Sequence, residues 1–102
     1  MRLVVAVLHP GLVEGVRQAL AAIHVTRMTV ADAHGYDLRV PDVLAQEVVL
    51  EIAVNDDFVG RTLDAVAAVI GAGGDPTAGR VCVLPMAEAV QIYRSVRGPE
   101  AV

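Results

Sequence analysis

Residues 2–8, Arg-Leu-Val-Val-Ala-Val-Leu, are apolar at odd and even positions alike until His9-Pro10 stops them. A strand sends successive side chains to opposite faces, so such a run needs cover above and below and belongs in the middle of a sheet. The rest of the chain must then supply partner strands on both sides and something apolar against each face. The composition is 55% hydrophobic but only 3% aromatic, and the mean hydropathy is +0.55. This apolar surface is built from Val, Ala and Leu. A single domain over residues 1–102 buries only a modest fraction of its surface. Apolar surface left over at this size marks contact with other chains, so an oligomer is expected.

The periodicity downstream supplies the partners. Pro10-Gly11 is a turn signal. Leu12, Val16, Ala19, Leu20 and Ile23 recur at helical spacing, with Glu14, Arg17 and Gln18 on the other face, and this helix is expected to end near His24. Residues 27–34 read as a second strand, residues 35–45 with Gly35 and Pro41-Asp42 as a loop, and residues 47–54 as an alternating third strand. Asn55-Asp56-Asp57 reads as a helix cap, Val59, Leu63, Val66 and Ile70 as the inward stripe of a second helix, and Gly71, Gly73 and Gly74 as its end. Residues 80–84 are a strand, 86–90 a single helical turn, 91–96 a short final strand, and Gly98-Pro99-Glu100 opens a loose tail. Strand, helix, strand, strand, helix, strand is the α+β ferredoxin-like βαββαβ sandwich, with an antiparallel sheet and both helices on one face. The other face is also apolar, and a closed ring of copies packing their sheets inward would cover it.

Charge and chemistry remove several classes of function. The net charge is −4 with no lysine, which argues against nucleic acid. The first apolar run is too short to span a bilayer and lacks the layout of a secretory signal, so a cytoplasmic protein not embedded in membrane is expected. Cys82 is the single cysteine, inside an apolar run, and is expected to pack in the core. His9, His24 and His34 sit in three separate elements without metal-ligand spacing. No nucleophile–base set or paired acid is visible, so no enzyme is expected. Glu51 falls on the second sheet face and calls for a partner such as Arg2 or a cation of a neighbouring copy.

Two distant segments do carry chemistry. Met28-Thr29-Val30-Ala31-Asp32-Ala33-His34-Gly35-Tyr36 is a strand ending at a glycine, and Ala78-Gly79-Arg80-Val81-Cys82-Val83-Leu84-Pro85 is a small-residue loop, one cation and a strand. Glycine allows close backbone approach, and loop amides beside a cation can hold phosphate. With Val7-Leu8-His9-Pro10, Val16-Arg17-Gln18-Ala19-Leu20, Leu50-Glu51-Ile52-Ala53-Val54 and Asp56-Asp57 in order between and around them, these segments resemble the PII signal proteins over nearly the whole chain. The resemblance implies a homotrimer of ferredoxin-like subunits. Adenine nucleotides would bind between neighbours, and a loop between the second and third strands would dock onto transporters, enzymes or regulators. It places Thr29 and Gly35 at the base and the loop entrance, with Tyr36 beside Gly35. Ala53 falls against the adenine, and Gly79 with Arg80 at the phosphates.

The departures shape the functional expectation. The loop between strands two and three is shorter than in PII proteins and lacks their modified tyrosine. The phosphate loop reads Gly73-Gly74-Asp75-Pro76-Thr77-Ala78-Gly79, in which Pro76 withdraws an amide donor. The family's C-terminal Arg-x-Arg appears as Gln91-Ile92-Tyr93, leaving Arg94 and Arg97 as the nearby cations, of which Arg94 is taken as a ligand residue. With fewer cations, a triphosphate loses most. The chain is therefore expected to be a PII-like sensor without covalent cofactor. It would bind ADP or AMP in preference to ATP, or a small anion such as bicarbonate, and relay that state to a transporter or metabolic enzyme. The alternative is a PII-like trimer that binds its protein partner without nucleotide.

Overall fold

The computed structural model describes residues 1–40, 42–75 and 78–102; the prolines at 41 and 76, and with the latter its expected effect on the phosphate loop, lie outside the described residues. Strand β1 (Arg2–Leu8) occupies the interior position its apolar run demands. The sheet order is β2-β3-β1-β4, with β2 (Thr29–Tyr36), β3 (Leu44–Val54) and β4 (Gly79–Pro85), and every pair is antiparallel. Helices α1 (Val13–Ala22) and α2 (Val59–Ala72) connect them in the ferredoxin-like order.

Strand pleat divides the apolar residues between two faces. Val4, Ala6, Leu8, Val48, Leu50, Ile52 and Val54 point to the helices and meet Val16, Leu20 and Val66 in one buried core. The remaining stripe residues, Ala19, Ile23, Val59, Leu63 and Ile70, are half-buried at its margin. Thr62, at a position between the stripe residues, is also fully buried; its hydroxyl donates to the Phe58 carbonyl at 2.8 Å, which removes the cost of an unpaired buried donor. The opposite face carries Leu3, Val5, Val7, Ala31, Val49, Ala53, Cys82 and Leu84. Neither helix reaches it.

Several boundaries differ from the sequence reading. β2 begins at Thr29 and continues to Tyr36, and β3 begins at Leu44, so the loop read as 35–45 shrinks to residues 37–43. The hairpin extends beyond the helices, where both faces meet water; backbone pairing from Ala33↔Glu47 to Tyr36↔Leu44 continues without an apolar pattern to announce it. Asn55-Asp56-Asp57 does not cap α2. Asn55 makes no capping bond, residues Asp56–Phe58 form a 3-10 turn, and Asp56 accepts from the Met1 amino group at 2.7 Å. Helix α2 includes Gly71 and stops at Ala72, before Gly73 and Gly74.

Cys82 is exposed rather than buried, because β4 alternates and Gly79, Val81 and Val83 face the helices while Arg80, Cys82 and Leu84 face away. Glu51 is not paired with Arg2: the pleat puts Arg2 opposite Val54 on the helix-side register, 3.5 Å from Asp56, while Glu51 lies opposite Val5 on the other face. No helical turn forms at 86–90. Instead β5 (Val90–Gln91) and β6 (Val96–Arg97) pair as a small hairpin, followed by a 3-10 turn over Gly98–Ala101. That last segment is tied down, since Asn55 Nδ2 donates to the Pro99 carbonyl at 3.1 Å and the Gly98 amide to Ala89 at 2.9 Å.

Leu50 has no exposed surface at the centre of the core. Leu50→Ala is expected to lower unfolding free energy by about 2–5 kcal/mol in urea titrations. At the surface, the Arg17 guanidinium hydrogen-bonded to Glu14 holds the Glu14 carboxyl down at about 2, against an ordinary 4.5. A carboxyl depressed in the folded state stabilises above its unfolded value, and that contribution fades as pH falls from 4.5 towards 2. Water screens a pair this exposed. Glu14→Gln should therefore flatten the acid limb of stability slightly, and only at low ionic strength.

Candidate functional site

Two concavities on the sheet hold most of the residues singled out above. The first opens at the end of β1, where the His9 amide donates to the Ala78 carbonyl at 2.9 Å and fixes the approach to β4. It has a volume of about 210 Å³ and is lined by His9, Glu47, Asp75, Ala78, Gly79 and Arg80 among others. Arg80 projects from β4 on the face away from the helices, opposite Val7. Its Nη2 stands 4.0 Å from Glu47 Oε2, with Arg80 largely exposed and Glu47 mostly covered. A loose pair of this kind contributes on the order of 0–1 kcal/mol, so a better anion can displace Glu47.

Glu47 also explains Gly35. A Cβ at Gly35 would lie 2.2 Å from Glu47 Oε1, so the carboxylate rests on the glycine backbone. Gly79 is constrained by other atoms: a Cβ there would stand 2.7 Å from Leu8 Cδ2 and 3.0 Å from Ile70 Cδ1. Core packing therefore demands glycine at 79 whatever binds nearby. Among the described residues of the loop before it, the Gly74 and Ala78 amides already donate to the carbonyls of Gly71 and Asp75.

The second concavity, about 270 Å³, lies beyond the other end of the strands and gathers Thr29, Ala53, Glu51, Arg27, Leu3 and Val102, with Ala101 close by. Thr29 and Ala53 therefore come together, but not with Arg80. They sit on β2 and β3, while Arg80 sits on β4 at the far edge; three strand spacings amount to roughly 14 Å. Tyr36 joins neither group. It alternates to the face opposite Gly35 and Thr29, across from Leu44, and is 66% exposed. The strand boundary is the cause: once β2 runs through residue 36, neighbours in sequence must point apart. Arg94 lies in the turn between β5 and β6, exposed, and flanks a third hollow with Arg27.

Sequence reasoning passed over Glu47 and Arg27. Glu47 only opens the run read as the third strand and carries no motif. Arg27 precedes the strand and carries no motif. Only pairing brings the first over Gly35 and the second beside Ala53.

A model of the family described as nitrogen regulatory protein P-II matches residues 1–96. The nitrogen regulatory protein GlnK1 of Methanosarcina mazei is 30% identical over 114 aligned positions, which take in 100% of this chain and 97% of that protein. Among solved structures, Arabidopsis thaliana PII bound to citrate superposes with a TM-score of 0.89 at 26% identity, covering 99% of this chain and 91% of that one.

The two glycines separate in a simple test. Gly35→Ala has only a flexible carboxylate to push aside and should cost under about 1 kcal/mol, whereas Gly79→Ala intrudes on the core and should cost about 1–3 kcal/mol. Urea unfolding of both variants measures the difference.

Proposed function

The chain belongs to the nitrogen regulatory P-II family, whose members are regulators and not enzymes, and from that premise we propose that it senses a small anionic ligand at seams between three copies of itself. The carrying observation is the split of the site. Thr29 with Ala53 and Gly79 with Arg80 line separate hollows toward opposite ends of the strands, with Thr29 on the edge strand β2 and Arg80 on the other edge strand, β4. Halves this far apart in one chain serve one ligand when the β2 edge of one copy faces the β4 edge of the next. The apolar face formed by Val5, Val7, Val49 and their neighbours gives the copies a reason to close into a ring. Each subunit contributes its whole length as one domain.

In this reading Ala53 and Thr29 receive the base of an adenine nucleotide, and Arg80 of the adjoining copy receives the phosphates once Glu47 is displaced. Gln91 and Tyr93 bring no positive charge, so ADP or AMP is favoured over ATP. Citrate in the Arabidopsis relative makes a multivalent carboxylate a second ligand class to assay, beside bicarbonate. No helix among the described residues is long and apolar enough to cross a membrane, and we place the protein in the cytoplasm.

The relay would run through the β2–β3 hairpin. Asp37 holds its tip, accepting from the Arg39 amide at 3.0 Å and from Arg39 Nε at 2.9 Å. The tip presents Leu38, which is 94% exposed, to a partner protein such as a transporter or metabolic enzyme. One observation favours a second reading, a nucleotide-independent adaptor: Arg80 already has a carboxylate in front of it.

Calorimetry with AMP, ADP and ATP discriminates. The sensor reading expects binding that Arg80→Ala weakens about tenfold, the loss of one charge-assisted contact, and a trimer in sedimentation velocity. No heat from any nucleotide at millimolar concentration, or a monomer in solution, removes it.

A further inference from the structure

Strand β1 ends at Leu8, opposite Val48 on one side and Gly79 on the other. Carried one step further, the same registers set His9 opposite Glu47 and Ala78, and the His9 amide donates to the Ala78 carbonyl at 2.9 Å. Alternation sends the His9 side chain to the face of Val7 and Arg80. There it lines the hollow of about 210 Å³ together with Glu47, Asp75 and Arg80. Cross-strand neighbours stand with their Cβ atoms about 5 Å apart. Glu47 is poorly satisfied at this place. Its side chain is only 23% exposed, its carboxylate rests on the Gly35 backbone, and its ion pair with Arg80 is stretched to 4.0 Å. A carboxylate covered to this degree gains from any donor brought closer.

His9 can supply that donor. Its Nδ1 accepts from the Gly11 amide at 3.1 Å and caps the 3-10 turn Pro10–Leu12. A ring nitrogen that accepts holds no proton, so the capping ring is neutral. Histidine is also the side chain whose charge ordinarily changes between about pH 5 and 8. We propose that this hollow takes up an anion together with a proton: protonated His9 leaves the Gly11 amide and takes Glu47, and Arg80 is released to the anion. The groups that face the ring set the sign. Glu47 from β3 and Asp75 from the loop before β4 favour the charged ring. Arg80 from β4 and the Gly11 amide on the ring's own segment oppose it, and β2 presents only Ala33 and Gly35 on this face. An anion on Arg80 cancels one of the two opposing groups. Proton and anion therefore favour each other, and by linkage each raises the affinity for the other by the same factor. Arg80 as the anion contact is taken from the sensor reading; the proton on His9 is additional to it and needs no adenine.

Inorganic sulfate is the probe, because its charge stays constant over the range in which phosphate esters titrate. It is titrated into the full chain at about pH 5.5 and about pH 8, at constant ionic strength, and followed by NMR. The parent should bind about tenfold tighter in acid. His9→Asn keeps an acceptor for the Gly11 amide but cannot charge, and should bind equally at both pH values. Glu47→Gln should bind tighter than the parent in the alkaline sample and lose most of the pH dependence. His24→Asn and His34→Asn should behave as the parent. Without sulfate, the Gly11 and Gly35 amide signals of the parent should move together as pH falls and stay still in His9→Asn. Thermal melts verify folding, and the isosteric Glu47→Gln carries the test alone if His9→Asn does not fold. A parent-like pH dependence in His9→Asn overturns the exchange, as does Glu47→Gln binding no tighter than the parent in the alkaline sample. No sulfate binding by the parent in acid also overturns it, and leaves the seam wherever ADP still binds through Arg80. Acid-dependent sulfate binding through His9, with no heat from AMP, ADP or ATP, sinks the nucleotide reading and leaves the exchange.

Discussion

Two helices bury one face of a four-stranded sheet whose strands are apolar on both. That imbalance orders the rest of the molecule. On the covered side, Val4, Leu8, Leu50 and Ile52 lose all or nearly all contact with water and hold α1 and α2 in place. On the open side, small β-branched side chains shield one another only partly. The hydrophobic effect is indifferent to which chain supplies the cover, and the ring proposed above would supply it from other copies. In the proposed ring the two hollows, at opposite ends of the strands, would face each other across a seam between copies.

Charge is distributed with comparable economy. Five of the eight arginines face an acidic partner, and two of those partners lie within three residues in sequence, Asp37 for Arg39 and Glu14 for Arg17. Pairs this exposed stabilise little, but each removes a cation from those available to a ligand. Arg80 is partly withdrawn in this way, because Glu47 leans over Gly35 to reach it. Of the other three, Arg61 lies over the Phe58 ring, and Arg27 and Arg94 face no acidic partner among the described residues. Relative to the family pattern read from the sequence, the segment Gln91-Ile92-Tyr93 carries no positive charge, and Arg94 directly follows it.

Much of the architecture was legible because it depends on local period. The alternation of Val48, Leu50, Ile52 and Val54 and the stripe of Val59, Leu63, Val66 and Ile70 each identify an element from its own residues. What escaped was decided by pairing across the chain. The extension of β2 to Tyr36 rests on bonds to β3, not on its mixed side chains, and with that extension Tyr36 turned away from Gly35. Cys82 sits in a run that reads as buried, yet one pleat of β4 sends it outward. Asn55 and Asp56 have the chemistry of helix caps and spend it on Pro99 and the Met1 amino group instead, partners far away in sequence.

The amino-acid sequence alone determined the order of elements from β1 to β4, the ferredoxin-like class and the apolar excess that calls for other copies, because composition and short-range periodicity suffice for these; the family was legible in the motifs that contain Thr29, Gly35, Gly79 and Arg80. Tertiary structure alone decided which residues share a hollow. Gly35, Glu47 and Arg80 come from three strands, and Arg27 and Arg94 are 67 positions apart. Contacts of this kind are set by register and pleat, where a shift of one residue exchanges the two faces of a strand, and no local pattern in the chain records that choice.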